Sequence, residues 1–180
     1  MKKLILVGII ILMVIPGAFA QFRIDLAIDV PRGAGSSSNT DDEFVDALSD
    51  FLNEYIIPVP EASFVYQYSF DSIPLHVGGG IRAFSFILES VAWPIVYAEL
   101  DLSPIVIHSN IGGLGFLSFG LFNDVATRNL IIPDLHIAYK FGKTFRLGLG
   151  AIGFTGSDTN ETLYAVYLTG RFSILFDKDK

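Results

Sequence analysis

The sequence predicts an all-β protein, an eight-stranded antiparallel up-and-down β-barrel, and three observations predict it. Apolar and polar residues alternate with a period of two at both ends of the chain beyond residue 20, the mark of a strand whose faces meet different surroundings. Eight segments of strand length can be counted. The connections between them run alternately long and short, which in an up-and-down barrel gathers the short turns at one end and the long loops at the other.

Residues 1–20 read as a secretory signal. Lys2 and Lys3 supply a basic start, Leu4 to Ile15 an uncharged run, and Pro16-Gly17 a helix break. Ala18-Phe19-Ala20 then offers the small residues that a signal peptidase reads. The run is too short to cross a hydrocarbon core, which needs about 20 residues. Cleavage after Ala20 leaves 10 basic against 19 acidic side chains, a net charge of −9. No later stretch is long and apolar enough for a transmembrane helix.

The first strand, 21–30, sets Phe22, Ile24, Leu26, Ile28 and Val30 on one face, with Arg23, Asp25 and Asp29 on the other. Six more follow at about 61–70, 75–86, 94–103, 105–117, 133–142 and 144–155. The last, 163–176, sets Tyr164, Val166, Leu168, Phe172, Ile174 and Phe176 opposite Tyr167, Thr169, Arg171 and Ser173. These lengths suit the nine to eleven residues that a tilted strand needs to cross a bilayer. The turns at 71–74, 103–104 and 142–143 are short, and the connections 31–60, 87–93, 118–132 and 156–162 are longer. An even strand number brings both termini to the short-turn end. In the outer membrane that end is periplasmic and the loops are extracellular.

The first long loop carries its own pattern. Pro31–Asn39 is rich in Gly and Ser, and Thr40-Asp41-Asp42-Glu43 is a capping box. Phe44, Leu48, Phe51, Leu52, Tyr55 and Ile56 then predict an amphipathic helix over 41–57 that Pro58 ends. Segment 31–61 holds seven acids and a single base, Arg32. A cover for the barrel mouth or an extracellular binding surface is expected of it.

Inward faces collect Arg23, Asp25, Asp29, Arg82, Glu99, Asp101, Lys140, Arg146 and Arg171, a nearly balanced set expected to pair as a lumen charge network. Outside, an Arg or Lys near the bilayer midplane costs about 2–4 kcal/mol, and the alternation keeps those positions apolar. Tyr66, Tyr68, Phe70, Tyr139 and Tyr164 are candidates for interfacial belts, while Tyr97 shares the face of Glu99 and Asp101 and should point inward. Around Gly78-Gly79-Gly80, and from Ile105 to Gly115 apart from His108-Ser109-Asn110, both faces are apolar or glycine, so part of the interior should be greasy. A filled core or a narrow apolar slot is expected rather than a water-filled pore.

Signal, strand number and loop rhythm together resemble the small eight-stranded outer-membrane barrels of the OmpA, OmpX and OmpW type. The last strand resembles the terminal strand read by the outer-membrane insertion machinery, with Phe172 and Phe176 on its apolar face, before a charged tail at 177–180. The resemblance implies an integral outer-membrane protein whose partners are membrane lipids and that machinery.

Other chemistry is thinly represented. Cysteine is absent, which removes thiolate metal sites, disulfides and a Cys nucleophile. A net charge of −7 argues against nucleic acid as a partner. Gly148-Leu149-Gly150-Ala151-Ile152-Gly153 fits a dinucleotide fingerprint by letter, but strand residues follow it where a helix is required. Its glycines are expected to make room for large inward side chains. His76, His108 and His136 lie toward the short-turn end, away from the loops where lipid-directed catalysis would need them, so neither a metal site nor an enzyme is expected. A structural or surface-binding role, or narrow passage of a small hydrophobic ligand, fits best. The alternative is a soluble periplasmic lipocalin-like carrier, which would place Asp25, Asp29, Glu99 and Asp101 in solvent.

Overall fold

A computed structural model describes residues 20–37, 50, 54–86, 89–113, 115–120, 126–128, 130–156 and 162–176. The signal segment up to residue 19, most of the helix expected over 41–57 and the tail at 177–180 lie outside the described residues. Ten strands are present: β1 Ala20–Ser36, β2 Val59–Ser69, β3 Leu75–Phe86, β4 Glu89–Leu102, β5 Ile105–Gly113, β6 Phe116–Gly120, β7 Ala126–Arg128, β8 Leu130–Phe141, β9 Phe145–Gly156 and β10 Thr162–Phe176. Neighbours pair antiparallel in the ring β1-β2-β3-β4-β5-β8-β9-β10, and β10 returns to β1. The ring of these eight strands is closed, so each of them is paired on both sides, the arrangement that removes free edges prone to association.

β6 continues β5 along the same partner. β4 pairs β5 up to Ile95↔Gly112 and then β6 from Ala92↔Leu117, a step that inserts two extra residues around Gly113. Gly113 adopts a φ of 116°, and a Cβ there would strike the Leu130 carbonyl, so only glycine serves at this irregularity. Together β5–β6 and β7–β8 form one long hairpin rising beyond its neighbours. Eight staves therefore carry ten strands.

Three connections differ from their expected lengths. Pairing from Phe86↔Glu89 onward leaves only 87–88 between β3 and β4, as short as the turns at the other end. Inward packing explains this: Trp93 and Val91 seat beside Phe84, the Phe84 and Trp93 rings lying 5.3 Å apart, and they carry the ladder past the exposed Pro94. Likewise β6 and β7 extend the sheet into 118–132. The first loop is trimmed at both ends, because β1 runs to Ser36 and β2 begins at Val59.

Outside, the barrel is apolar along its staves. Leu26, Ile28, Phe64, Ile81, Val96, Ile111, Leu135, Leu149, Leu168 and Ile174 are all exposed on the outer face. Toward the short turns the outer face becomes aromatic. Phe22 contacts Phe64 and Tyr66, Tyr139 contacts Phe141, and Phe141, Phe145 and Phe172 continue the band at centroid spacings of 4.8–5.9 Å. Such a belt suits a membrane–water boundary.

The interior is layered. The loop-side third is apolar: Val59, Phe84, Val91, Trp93, Ile95, Ile132 and Ile152 pack together. Below it the lumen is filled by charged and polar side chains. Glycine fits these layers together at two places. A Cβ on Gly112 would collide with the Trp93 indole, and one on Gly150 with the Tyr167 ring. The glycine-rich stretch of β9 thus makes room for an inward aromatic from β10.

Candidate functional site

Alternation carries charged side chains inward from seven of the eight staves, and they meet across the lumen. Arg23 and Glu99 are each 1% exposed and Arg171 2%, all pointing toward the barrel axis. In the lower layer Glu99 of β4 lies 3.1 Å from the Arg23 guanidinium of β1 and accepts from Arg146 of β9 at 2.7 Å. The His108 ring lies 3.2 Å from the same oxygen. Arg23 also reaches Asp25 at 2.9 Å and donates to Gln67 at 2.8 Å, and its guanidinium stands over the Tyr97 ring. Tyr97 donates its hydroxyl proton to Gln67 at 3.0 Å.

In the layer above, Arg82 of β3 is the hub. It donates to Glu61 of β2 at 2.7 Å and to Asp134 of β8, and its guanidinium covers the Phe84 ring. Asp134 also accepts from Tyr167 at 2.6 Å and from Asn110 at 3.1 Å. Arg171 links the layers: it donates to Glu61 at 2.9 Å and lies 3.9 Å from Asp25. Asp29 stands 3.9 Å from Arg82. One chain of contacts thus runs Arg146–Glu99–Arg23–Asp25–Arg171–Glu61–Arg82–Asp134. At the short-turn mouth Lys140 pairs with Asp101, their side chains 20% and 17% exposed.

Several of these pairs join staves three apart in the ring of eight, such as β1 to β4 and β3 to β8. They span the lumen rather than line it. Buried charges persist only where partners and hydrogen bonds offset their lost hydration, and charge-assisted bonds of this length supply that compensation.

Of the nine charges read from the sequence, seven lie buried in the lumen, and Asp101 and Lys140 stand at its mouth. Two carboxylates at the centre of the upper layer were not among them. Glu61 counts with the acidic loop in the sequence, because Pro58 and Pro60 lie just before it and obscure the start of β2. Its inward parity with Ser63, Val65 and Gln67 was the available signal. Asp134 shares parity with His136 and Lys140, a signal weakened by its place next to Pro133 at the edge of the expected strand. With both included, the described lumen holds six acids against five bases, reversing the expected sign.

The histidines divide. His108 and His136 are cross-strand partners whose rings stack at 4.6 Å, and Tyr97 stacks on the other side of His108. His76 lies near the short-turn end, 2.9 Å from the Ser69 hydroxyl. Among the described residues no group of three or more His, Asp or Glu is arranged to hold a metal ion. The soluble-carrier alternative required Asp25, Asp29 and Glu99 in solvent, and all three are buried.

No family model matches this chain, and no curated protein does. Among solved structures it is similar to Neisserial surface protein A, with a TM-score of 0.44 and 10% identity, over 85% of this chain and 96% of that one. It is also similar to the N-terminal β-barrel domain of Pseudomonas aeruginosa OprF, with a TM-score of 0.43 and 7% identity over 86% and 99% of the two chains. Ail, the attachment invasion locus protein of Yersinia pestis, gives a TM-score of 0.40 and 9% identity over 86% and 97%. Function therefore has to be read from this chain's own side chains.

Proposed function

We propose that the chain is an integral β-barrel of the bacterial outer membrane, exported by the segment 1–20, with a structural or surface-binding role and no catalytic one. Lipids are its lateral partners, and the outer-membrane insertion machinery takes up β10 through Phe172 and Phe176. The observation that carries this reading is the inside-out partition of one closed sheet: apolar side chains on the outer face, paired charges within. Soluble barrels place these classes the other way round. In the hydrocarbon only a closed ring satisfies every backbone amide of a sheet, and this ring is closed.

Passage through the lumen fits less well than anchorage. Ion pairs cross it at two levels, and above them Trp93, Ile132 and Ile152 pack into a solid layer. A function at the loop end remains, where the acidic segment between β1 and β2 emerges. The histidines lie in the polar part of the lumen, where His108 and His136 cover each other's ring faces, an arrangement that offers no substrate access.

Two measurements test this reading. Purified protein in detergent should run at different gel mobilities before and after boiling, and in planar bilayers it should show no steady conductance. Recovery from cells in buffer without detergent would refute the membrane assignment, and stable single-channel steps would refute the closed lumen.

A further inference from the structure

The outer face carries one feature that a uniform lipid contact does not require. Along β9 the outward column shrinks from Leu147 and Leu149 to Ala151 and then Gly153. Ala151 is paired with Leu135 of β8 on one side and Val166 of β10 on the other. A small residue between two large ones leaves a trough, with a volume of about 380 Å³, walled by Leu135, Leu149, Val166 and Leu168. Its one charged lining residue is Arg32.

Arg32 arrives there through a local irregularity. The β1–β10 register shifts between Pro31↔Tyr167 and Gly33↔Val166, and Arg32 is the unmatched residue. It is exposed on the outer face and among the described residues has no carboxylate partner. Ten residues separate it from Phe22 in the short-turn aromatic belt. At about 3.3 Å per residue and a tilt of about 40°, that distance corresponds to roughly 25 Å along the membrane normal, the height of an outer-membrane apolar band. Arg32 thus stands at the outer boundary, with an apolar trough descending from it into the outer leaflet.

We infer that this trough and Arg32 form a lipid site on the barrel wall that takes one acyl chain of a phosphorylated glycolipid of the outer leaflet, with Arg32 on its phosphate. The chain and the cation are complementary to two parts of one molecule. A guanidinium matches phosphate geometry through paired N–H donors, and the long aliphatic stem lies naturally along apolar surface. An Arg at this depth is otherwise a small liability.

The inference rests on the membrane reading, and the test separates the two. Full-length protein in zwitterionic detergent is titrated with diphosphorylated lipid A, with the same glycolipid stripped of phosphate and with phosphatidylglycerol, and bound lipid is counted by native mass spectrometry. The phosphorylated glycolipid should bind about tenfold more tightly than the stripped form, as expected for one charge-assisted contact. Arg32→Gln should abolish that difference. Ala151→Leu fills the trough and should weaken both forms while preserving their ratio. Both sites lie outside the lumen, and boiled and unboiled gel mobility reports whether each variant is folded; if Ala151→Leu fails to fold, the Arg32→Gln arm still decides. Equal binding of the two glycolipid forms, equal binding of phosphatidylglycerol, or an Arg32→Gln variant that keeps the preference would overturn the inference while leaving the membrane assignment standing. Loss of heat-modifiable mobility in the unsubstituted protein would remove both.

Discussion

The loop-side third of the lumen and the two layers beneath it solve the same packing problem with opposite chemistry. Above, Val59, Phe84, Trp93, Ile132 and Ile152 fill volume without directional demands. Below, Arg82, Glu61, Asp134, Arg171 and Glu99 fill it with groups that each need a particular partner. An apolar layer accepts a neighbour of similar size, whereas an ion pair across the lumen fixes which residues of opposite staves face each other. The lower layers therefore specify register, and the upper layer keeps water from the loop side out. Exclusion of water strengthens each charge-assisted bond beneath it, and makes each unpaired charge more costly.

That contrast is most easily broken at Arg82. Arg82→Met leaves Glu61 with Arg171 as its remaining cation and Asp134 with only neutral donors. Removing one partner of a buried set costs about 3–5 kcal/mol, because a charge is stranded rather than because a contact is lost. Urea unfolding in detergent micelles, followed by tryptophan emission of Trp93, should show the midpoint fall accordingly. A loss below about 1 kcal/mol would mean that water hydrates the stranded carboxylates and that the lumen is not dry. In the upper layer the expected response is gentler. Ile132→Val removes one methylene from a fully buried side chain and should cost about 0.5–1.5 kcal/mol in the same assay. Similar losses at the two sites would erase the distinction between directional and volume-filling interiors.

The two layers also differ in how far they could be read from the sequence. A strand with charges on one face and aliphatics on the other declares both its period and its polarity, as 21–30 and 163–176 do. Where both faces are apolar, period is silent. The stretch before Pro94 therefore reads as loop in the sequence, although Val91 and Trp93 extend β4 to Glu89. Pairing is a further step beyond facing. Parity shows that Arg23 and Glu99 point inward, but their meeting depends on β1 and β4 lying three staves apart, with a stagger that no single strand encodes. Glu61 shows the boundary problem: its alternation was legible, and the adjacent prolines and acidic loop concealed it. The trough beneath Arg32 was hidden for a third reason, since Ala151 forms a depression only because Leu135 and Val166 are its lateral neighbours.

The mouth of the lumen gives the comparison its lower limit. Lys140 and Asp101 have the same chemistry as the pairs above them and meet across β8 and β4, but water reaches both side chains. Hydration of the separated ions then nearly matches their attraction, and exposed pairs of this kind contribute about 0–1 kcal/mol. Lys140→Gln should therefore shift the unfolding midpoint little, and added salt should shrink even that difference, because screening acts on hydrated charges far more than on buried ones. Arg82→Met should keep its full effect in the same salt series. If instead Lys140→Gln proved as damaging as Arg82→Met, burial would not be what separates the layers, and the stability of the barrel would have to be sought in the charges themselves rather than in the dry interior that surrounds them.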